Sequence, residues 1–361
     1  MQQEIKLSDL KTLLISAKNV LNSMLSLNRT KKIKYEEIKY FELVSFLSLW
    51  NAAGENGSKV MNMLDDVPSG DALMQQLQKL NIKEVEEQFN TIFEKQFSKH
   101  IGKRRKRAII IIDIHEQETY TKEKRTSKYI RGGKHKNGTN FFFKFSTIQI
   151  IVKDKVLTLA VKLFLKEEKL VQMVDELVKI AKRFVRIKAL LLDRGFRDTN
   201  ILNQLEFLGV PMLMPCIKDE KTRKEFENAK HKFHVVKYWW KNVKGNYADF
   251  KLIMMKLNSG KEIGFYTNLR HVWLHTAKYY LDLYAMRWNI ETGYRLQNLF
   301  LPKTSCVKGV VRYFYFCYAV GMHNLWLCLR NLVKGISLTV LTVKVVLVYF
   351  WITTHLVKED N

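Results

Sequence analysis

The sequence contains few cysteines, and they do not form a metal-binding pattern. The four cysteines of the 361-residue chain lie at positions 216, 306, 317 and 328, without a CxxC pair and without a neighbouring histidine cluster. This spacing argues against a zinc site. Sparse, unpaired cysteines are typical of a reducing compartment, so we expect a cytoplasmic protein.

The sequence also lacks a clear membrane signal. The first 20 residues contain neither a continuous apolar core nor a small-residue cleavage site, which argues against a secretory signal. Residues 336–357 are apolar and long enough to cross a bilayer. However, Lys344 lies inside this stretch, and a charge in lipid is costly. We therefore expect a buried C-terminal strand or helix, with a membrane-associated protein as the alternative.

Acidic residues are outnumbered by basic ones. The chain has 35 Asp and Glu against 61 Lys and Arg, a formal net charge of +26. Such an excess predicts a polyanionic partner, with nucleic acid as the first candidate and an anionic membrane surface as the second. A basic run at 103–107 includes Arg104 and Arg105, which we interpret either as DNA phosphate contacts or as part of a solvated linker.

The order of predicted elements indicates an α/β fold with a mixed sheet. Residues 1–100 show mostly helical spacing, clearest at 38–50 and 84–97. The next segments are predicted to be three strands (108–112, 141–152 and 156–164), a helix (167–184), a strand (187–192), a helix (199–208) and a strand (210–215). A β insertion (217–262), a strand (263–269) and a long helix (274–299) follow. Three consecutive strands followed by αβ units predict a mixed sheet with helices on both faces. A ribonuclease-H-like core has this order of elements.

Three acidic residues are placed where a site could form. Asp113 and Asp193 each close an all-apolar strand, at the sheet edge where α/β proteins tend to bind ligands. One such aspartate is commonly only a turn or cap residue, but two on separate core strands favour a site. Glu291 lies on the predicted long helix, within a polar stripe at positions 284, 287, 291, 295 and 298. A solvated helix face with Arg–Glu pairs is the alternative interpretation of that stripe.

The three acids together predict a metal-dependent reaction on a phosphodiester. Three adjacent carboxylates cannot all stay ionised without a cation, and their oxygens suit Mg²⁺ or Mn²⁺. Two such ions can clamp an in-line phosphoryl displacement. In a strongly basic protein, the expected substrate is DNA.

The combined motifs resemble the DDE transposases of bacterial and archaeal insertion sequences, in the branch marked by a Tyr-Arg-Glu-Lys helix. The resemblance rests on IIIIDIH around Asp113, on Asp193-Arg194-Gly195-Phe196, and on Tyr284, Arg287 and Glu291 after the segment 266–269. The segment 131–142 also resembles the hairpin that follows the first strand in archaeal members. The resemblance covers roughly residues 40–335.

The resemblance implies roles for individual residues. It makes Asp113, Asp193 and Glu291 the ligands of two metal ions and the catalytic residues, and it makes Tyr284 and Arg287 contacts to DNA phosphates near the cut. Trp288 matches a tryptophan that stacks on a flipped base in some relatives, although packing against the sheet is an equal alternative.

The sequence departs from the family at one position of the motif. The family's lysine has Asn298 in its place. Arg295 or Lys303 could replace its phosphate contact, or this copy could be impaired. His115 is expected to be a supporting or structural residue rather than a ligand.

The expected organisation has five parts. They are a helical DNA-binding region (1–100), the first part of a ribonuclease-H-like catalytic core (101–216), a β insertion subdomain (217–262), the second part of the core (263–335) and a C-terminal segment (336–361). The resemblance implies double-stranded DNA partners, namely terminal inverted repeats and a target, and a homodimer on DNA. The alternatives are an impaired, transposase-derived DNA-binding protein and a ribonuclease-H-like nuclease without strand transfer.

Overall fold

A computed structural model provides the architecture of most of the chain. It describes residues 21–27, 34–63, 66–101, 106–121, 127–152, 155–229, 231–272, 276–332, 339, 340 and 344. Arg104, Arg105 and most of the apolar stretch 336–357 lie outside the described residues. No helix within the described ranges is long and apolar enough to cross a membrane.

The described chain contains an N-terminal group of helices followed by alternating strands and helices. The helices are α1 (Glu37–Trp50), α2 (Gly54–Met61), α3 (Gly70–Leu77), α4 (Ile82–Ile101), α5 (Leu170–Phe184), α6 (Thr199–Phe207), α7 (Glu220–Asn228), α8 (Ala277–Ala285), α9 (Trp288–Asn298) and α10 (Gly309–Leu332). The strands are β1 (Arg107–Glu118), β2 (Ile130–Lys136), β3 (Thr139–Val152), β4 (Lys155–Leu163), β5 (Arg186–Leu191), β6 (Met212–Pro215), β7 (Phe233–Lys241), β8 (Tyr247–Lys256) and β9 (Glu262–Thr267).

The nine described strands form one mixed sheet, as the sequence predicted. Its path is β2-β3-β1-β5-β6-β9-β8-β7, and β4 pairs with the other part of β3. The pairs β1–β5 and β5–β6 are parallel, whereas the remaining pairs are antiparallel. The strands therefore run in both directions, with the parallel pairs in the middle of the sheet.

Strand β1 is buried on both faces, which explains its all-apolar sequence. Ile110, Ile111 and Ile112 follow one another, and each is at most 1% exposed. Because successive side chains of a strand point to opposite faces, both faces must be covered. This confirms the prediction drawn from the apolar run before Asp113.

The N-terminal helices and the last helix share the core with the sheet. The last of these helices, α10, has buried aromatic residues between 313 and 318. Phe314 of α10 contacts Phe41 of α1 and Phe89 of α4, with ring centroids 6.4 and 5.2 Å apart. Ser69 caps α3 by accepting a hydrogen bond from the Ala72 amide, as its position before the helix predicts.

Several elements differ from the sequence prediction. Strand β1 does not end at Asp113 but continues to Glu118, because β3 pairs with it along that whole length. The segment 217–262 contains helix α7 besides strands, and its strand β8 joins the central sheet through β9. The expected long helix over 274–299 is interrupted at Met286 and Arg287, between α8 and α9.

Candidate active site

Asp113 and Asp193 lie side by side because of the register of two parallel strands. Ile111 of β1 is paired with Leu191 of β5, and each aspartate follows two residues later. Neighbouring strands are about 4.8 Å apart, and residues at the same offset point to the same face. The electrostatic effect of Asp193 on Asp113 agrees with this placement. The pairing of β1 with β5 ends just before the two carboxylates, and this opens space for them.

The turn after β5 holds the carboxylate of Asp193. Its Oδ1 accepts a hydrogen bond from the Gly195 amide at 2.5 Å, and a short 3₁₀ helix follows over Arg194–Phe196. A Cβ at Gly195 would lie only 2.9 Å from that oxygen. Glycine at this position therefore lets the backbone approach the carboxylate closely, which is a physical reason for glycine in the Asp-any-Gly-Phe element.

Glu291 lies on α9 and faces the same region. The break between α8 and α9 preserves the helical direction, because Met286 and Arg287 both keep right-handed helical backbone angles. Glu291 is half exposed and forms an ion pair with Arg287, whose Nη2 lies 3.2 Å from the Glu291 Oε1. The negative charge of Glu291 also acts on Asp113. The structure thus directs all three acids toward one region.

Arg287 offsets part of the negative charge of this region. Its side chain is 12% exposed, and its guanidinium interacts electrostatically with Tyr284, Asp113 and Glu291, which raise its pKa despite burial. Within the described part of the chain, no group of three or more His, Cys, Asp or Glu side chains is close enough to hold a metal ion. The ion pair of Glu291 with Arg287 is one reason, because it directs that carboxylate to a guanidinium.

Burial, together with the negative charges of Asp193 and Glu291, raises the pKa of Asp113 to about 6, although the Ile114 amide and Arg287 act to lower it. Because the pKa of the folded state lies above the unfolded value of 3.8, the folded protein binds this proton more tightly. The proton on Asp113 therefore makes its full contribution to the free energy of unfolding of the metal-free protein below about pH 4. This contribution is lost as the pH rises through about 6.

This pKa predicts how metal-free stability depends on pH. With chelator present, raising the pH from about 4 to about 8 should cost the wild type on the order of 2–3 kcal/mol more than an Asp113→Asn variant, which has no proton to lose at this position. Urea unfolding of both proteins across this range measures the difference. Parallel stability curves for the two proteins would contradict the raised pKa.

The residues predicted to contact DNA line a cleft beside Asp193. Tyr284, Arg287 and Trp288 lie in its wall with Asp193. Burial raises the pKa of Tyr284 to about 12, so its hydroxyl stays protonated at neutral pH. That hydroxyl donates a hydrogen bond to the Leu192 carbonyl at 3.4 Å. Trp288 is 59% exposed, which argues against the alternative of packing against the sheet.

A second cleft adjoins Asp113 and shares Asp193 with the first. It is also lined by Arg131, Lys136 and Lys144. The first cleft contributes further cationic side chains: Arg194, Lys218 and Lys261. Positive side chains therefore flank the acidic residues in both clefts, an arrangement suited to a chain of phosphates.

Tyr294 is a residue of the site that sequence reasoning missed. It is 8% exposed, its hydroxyl is 2.6 Å from the Thr147 Oγ1, and it interacts electrostatically with Asp113. His115 packs between its ring and that of Phe316, with centroids 4.9 and 5.2 Å apart. Burial lowers the pKa of His115 to about 4, so the ring is neutral and packs as the supporting residue that was expected. Tyr294 lies three residues after Glu291, and this helical spacing was the feature of the sequence that could have indicated its place beside the site.

The predicted DNA contacts Arg295 and Lys303 lie outside the walls of the two clefts, on α9 and beyond it. Arg295 and Asn298 are exposed on α9, and Arg295 follows Glu291 by one helical turn. Lys303 is exposed beyond that helix, and its backbone amide donates a hydrogen bond to the Ala52 carbonyl, between α1 and α2. Of the two candidates to replace the motif lysine, Arg295 is therefore on the same helix as Glu291, and Lys303 is held against the N-terminal helices.

Comparison with known proteins supports the fold. No protein-family model matches the chain, and no curated protein matches it. Among solved structures, the chain is similar to a piggyBac transposase, determined by cryo-electron microscopy as a synaptic complex with hairpin DNA. The match covers 98% of this chain and 79% of that one, with a TM-score of 0.53 and 11% sequence identity. The chain therefore has a transposase-like fold, with a mixed sheet similar to that of the piggyBac catalytic region.

Proposed function

We propose that this protein is a DDE transposase that cuts and joins the DNA of an insertion sequence, with Asp113, Asp193 and Glu291 as its catalytic acids. The observation that carries the proposal is the shared register of β1 and β5, which makes the first two carboxylates neighbours. The strand order β4-β3-β1-β5-β6 and the directions of its pairs agree with a ribonuclease-H-like core. The structural similarity to a transposase supports the same assignment.

The three acids fit two Mg²⁺ or Mn²⁺ ions in their chemistry. They offer only hard carboxylate oxygens, which these ions prefer. Burial and the charges of the other two acids raise the pKa of Asp113, and a bound cation would offset both by favouring the ionised carboxylate. Glu291 is half exposed, so its side chain can turn from Arg287 toward Asp113. When bound, such ions activate the attacking oxygen and stabilise the leaving oxygen of a phosphodiester.

The remaining residues of the clefts position the DNA in this proposal. The net charge of +26 and the cations of both clefts attract the phosphate backbone. Release of Arg287 from Glu291 frees its guanidinium for a phosphate near the cut, beside the Tyr284 hydroxyl. Arg295, exposed on α9, supplies the positive charge that Asn298 cannot. The substrates are terminal inverted repeats and a target duplex, bound by a homodimer in the cytoplasm at the nucleoid.

The proposal is tested by supplying the full chain with Mg²⁺, a labelled duplex of the element's terminal repeat and a target plasmid. A transposase yields both cleaved ends and joined products, and chelation of the metal abolishes both. Cleavage without a joined product would favour the nuclease alternative. Binding without cleavage would favour an impaired, transposase-derived DNA-binding protein, which Asn298 makes the relevant second candidate.

Trp288 provides an independent prediction about DNA handling. Because its ring is 59% exposed and lies in the cleft with Asp193, replacing it with alanine removes a stacking surface at little cost to folding. Stacking on one base contributes about 1–3 kcal/mol, so Trp288→Ala should reduce cleavage roughly 5- to 150-fold. Phe207, an aromatic residue that is 84% exposed at the end of α6, gives the matched control Phe207→Ala. Equal cleavage by the two variants would contradict a stacking role.

A further inference from the structure

Strand β2 and the start of β3 form a β-hairpin, here called the basic ribbon (residues 131–142), and the end of β1 lies along the β3 side of this hairpin. Strand β2 is the outermost strand at its end of the sheet path, and it pairs with β3 from Ile130 to Lys136. All residues from Gly132 to Gly138 are exposed. Residues 132–138 of the ribbon therefore bury little surface, and their sequence is not explained by packing, whereas Thr139 and Phe142 are buried.

The tip of the basic ribbon is held in one conformation. Asn137 and Gly138 have φ angles of 48° and 81°, the pair of positive values that a tight two-residue hairpin turn requires. The Tyr120 hydroxyl donates a hydrogen bond to the Asn137 carbonyl at 2.7 Å, and the Asn137 amide group donates one to Glu118 at 3.1 Å. These contacts anchor the turn to the end of β1. An exposed arm with an anchored tip is preorganised for a partner.

The base of the ribbon is also anchored, and its close approach to β1 requires glycine. The Arg131 guanidinium donates hydrogen bonds to the carbonyls of Leu165, Lys166 and Glu168 and lies 3.8 Å from the centroid of the Phe164 ring. A Cβ at Gly133 would lie 2.9 Å from the ring of Phe142 and 3.2 Å from a Glu116 oxygen. Arg131 is thus committed to structure, so the positive charges offered to a partner are those of the tip.

The tip carries Lys134, His135 and Lys136, all exposed, and it continues the cleft that contains Asp113. Lys136 and Gly132 line that cleft together with Asp113 and Asp193. The Lys136 side chain remains 59% exposed although its Nζ lies 3.3 Å from Glu118. A polyanion bound across the carboxylates would therefore extend along the ribbon.

We infer that the basic ribbon enters the major groove of the duplex DNA that is bound at the proposed active site. This inference rests on the proposed function. The major groove of B-form DNA is wide enough for a two-stranded β-ribbon, and lysines at the tip match the phosphates that line it. The major groove of an A-form RNA duplex is too narrow and deep for such an arm, so the partner is DNA.

The test uses the full-length chain, metal-free, and a fluorescent terminal-repeat duplex. Dissociation constants are measured by anisotropy at several salt concentrations for the wild type, for Lys134→Ala/Lys136→Ala, and for the control Lys179→Ala/Lys224→Ala. The control removes the same charge from lysines that are 62% and 68% exposed on α5 and α7. Dimethyl sulfate protection of guanine N7 reports occupancy of the major groove.

The ribbon variant should bind about tenfold more weakly near 0.15 M salt, with a salt slope smaller by about 1–2, and it should lose N7 protection at one position of the duplex. The control should bind like the wild type with the protection intact. Wild-type binding to DNA with no difference between the variants, or ribbon-dependent binding to an RNA duplex of equal strength, overturns the inference and leaves the proposed function standing. New self-association of the ribbon variant with unchanged DNA affinity also overturns it, because the lysines then serve only to keep an edge strand unpaired. Failure of the wild type to bind any duplex removes the proposed function itself.

Discussion

Replacing Asp113 with asparagine should lower the rate of Mg²⁺-dependent DNA cleavage by about 10³-fold or more while leaving DNA affinity within about threefold. The side chain keeps its shape but loses the negative charge that would hold a cation beside Asp193. Loss of one metal-binding carboxylate that stabilises the transition state by roughly 4 kcal/mol corresponds to this factor. Single-turnover cleavage of a labelled terminal-repeat duplex measures the rate, and anisotropy measures the affinity.

Asp198 offers a matched control for this substitution. It lies five residues after Asp193 and caps α6 by accepting a hydrogen bond from the Asn200 amide at 2.7 Å. Asparagine is as good a capping residue as aspartate, so Asp198→Asn should retain both fold and cleavage. Metal-dependent cleavage by Asp113→Asn at a rate near that of the control would remove Asp113 from the proposed catalytic acids.

Replacing Phe145 with alanine should lower the free energy of unfolding by about 3–5 kcal/mol, because it leaves a cavity beneath the site. Phe145 is fully buried, lies opposite His115 in the β1–β3 ladder, and stacks on Phe316 with ring centroids 4.4 Å apart. His115 in turn contacts the ring of Tyr294, which interacts electrostatically with Asp113, so the cavity is linked to Asp113 through two intervening residues. Urea denaturation of the full chain measures the loss.

Phe207 gives the corresponding control at the surface. It is 84% exposed at the end of α6, so Phe207→Ala should change the unfolding free energy by less than about 0.5 kcal/mol. A loss below about 1 kcal/mol for Phe145→Ala would mean that the aromatic stack does not support β1 and β3 as the packing indicates.

Local patterns in the sequence were sufficient for most elements of the core. The apolar runs before Asp113 and Asp193 predicted buried strands, and both were found as β1 and β5. The helical spacing at 167–184 and 199–208 predicted α5 and α6. Buried positions repeat every two residues in a strand and about every 3.6 residues in a helix. A short stretch of sequence is therefore enough to predict the type of element.

The sequence also indicated which acids to compare, but it did not determine their contacts. Asp113 was expected at the end of its strand, whereas β1 continues to Glu118 because β3 supplies a partner along that length. Glu291 was expected either to join the aspartates or to pair with an arginine one helical turn away, and in the structure its carboxylate contacts Arg287. Pairing with a strand far along the chain leaves no local pattern, so the length of β1 could not be predicted, whereas the pair of Arg287 with Glu291 spans one helical turn and was one of the two expected outcomes.

The sequence by itself determined the positive charge, the mixed α/β order of elements and the positions of three acids on two strands and a helix. Only the tertiary structure decided that Asp113 and Asp193 are neighbours, that Tyr294 interacts with Asp113, and that β8 extends the central sheet. The physical reason is that charge and periodicity belong to each residue and its near neighbours. Register between strands instead depends on the packing of the whole core, which no short segment encodes.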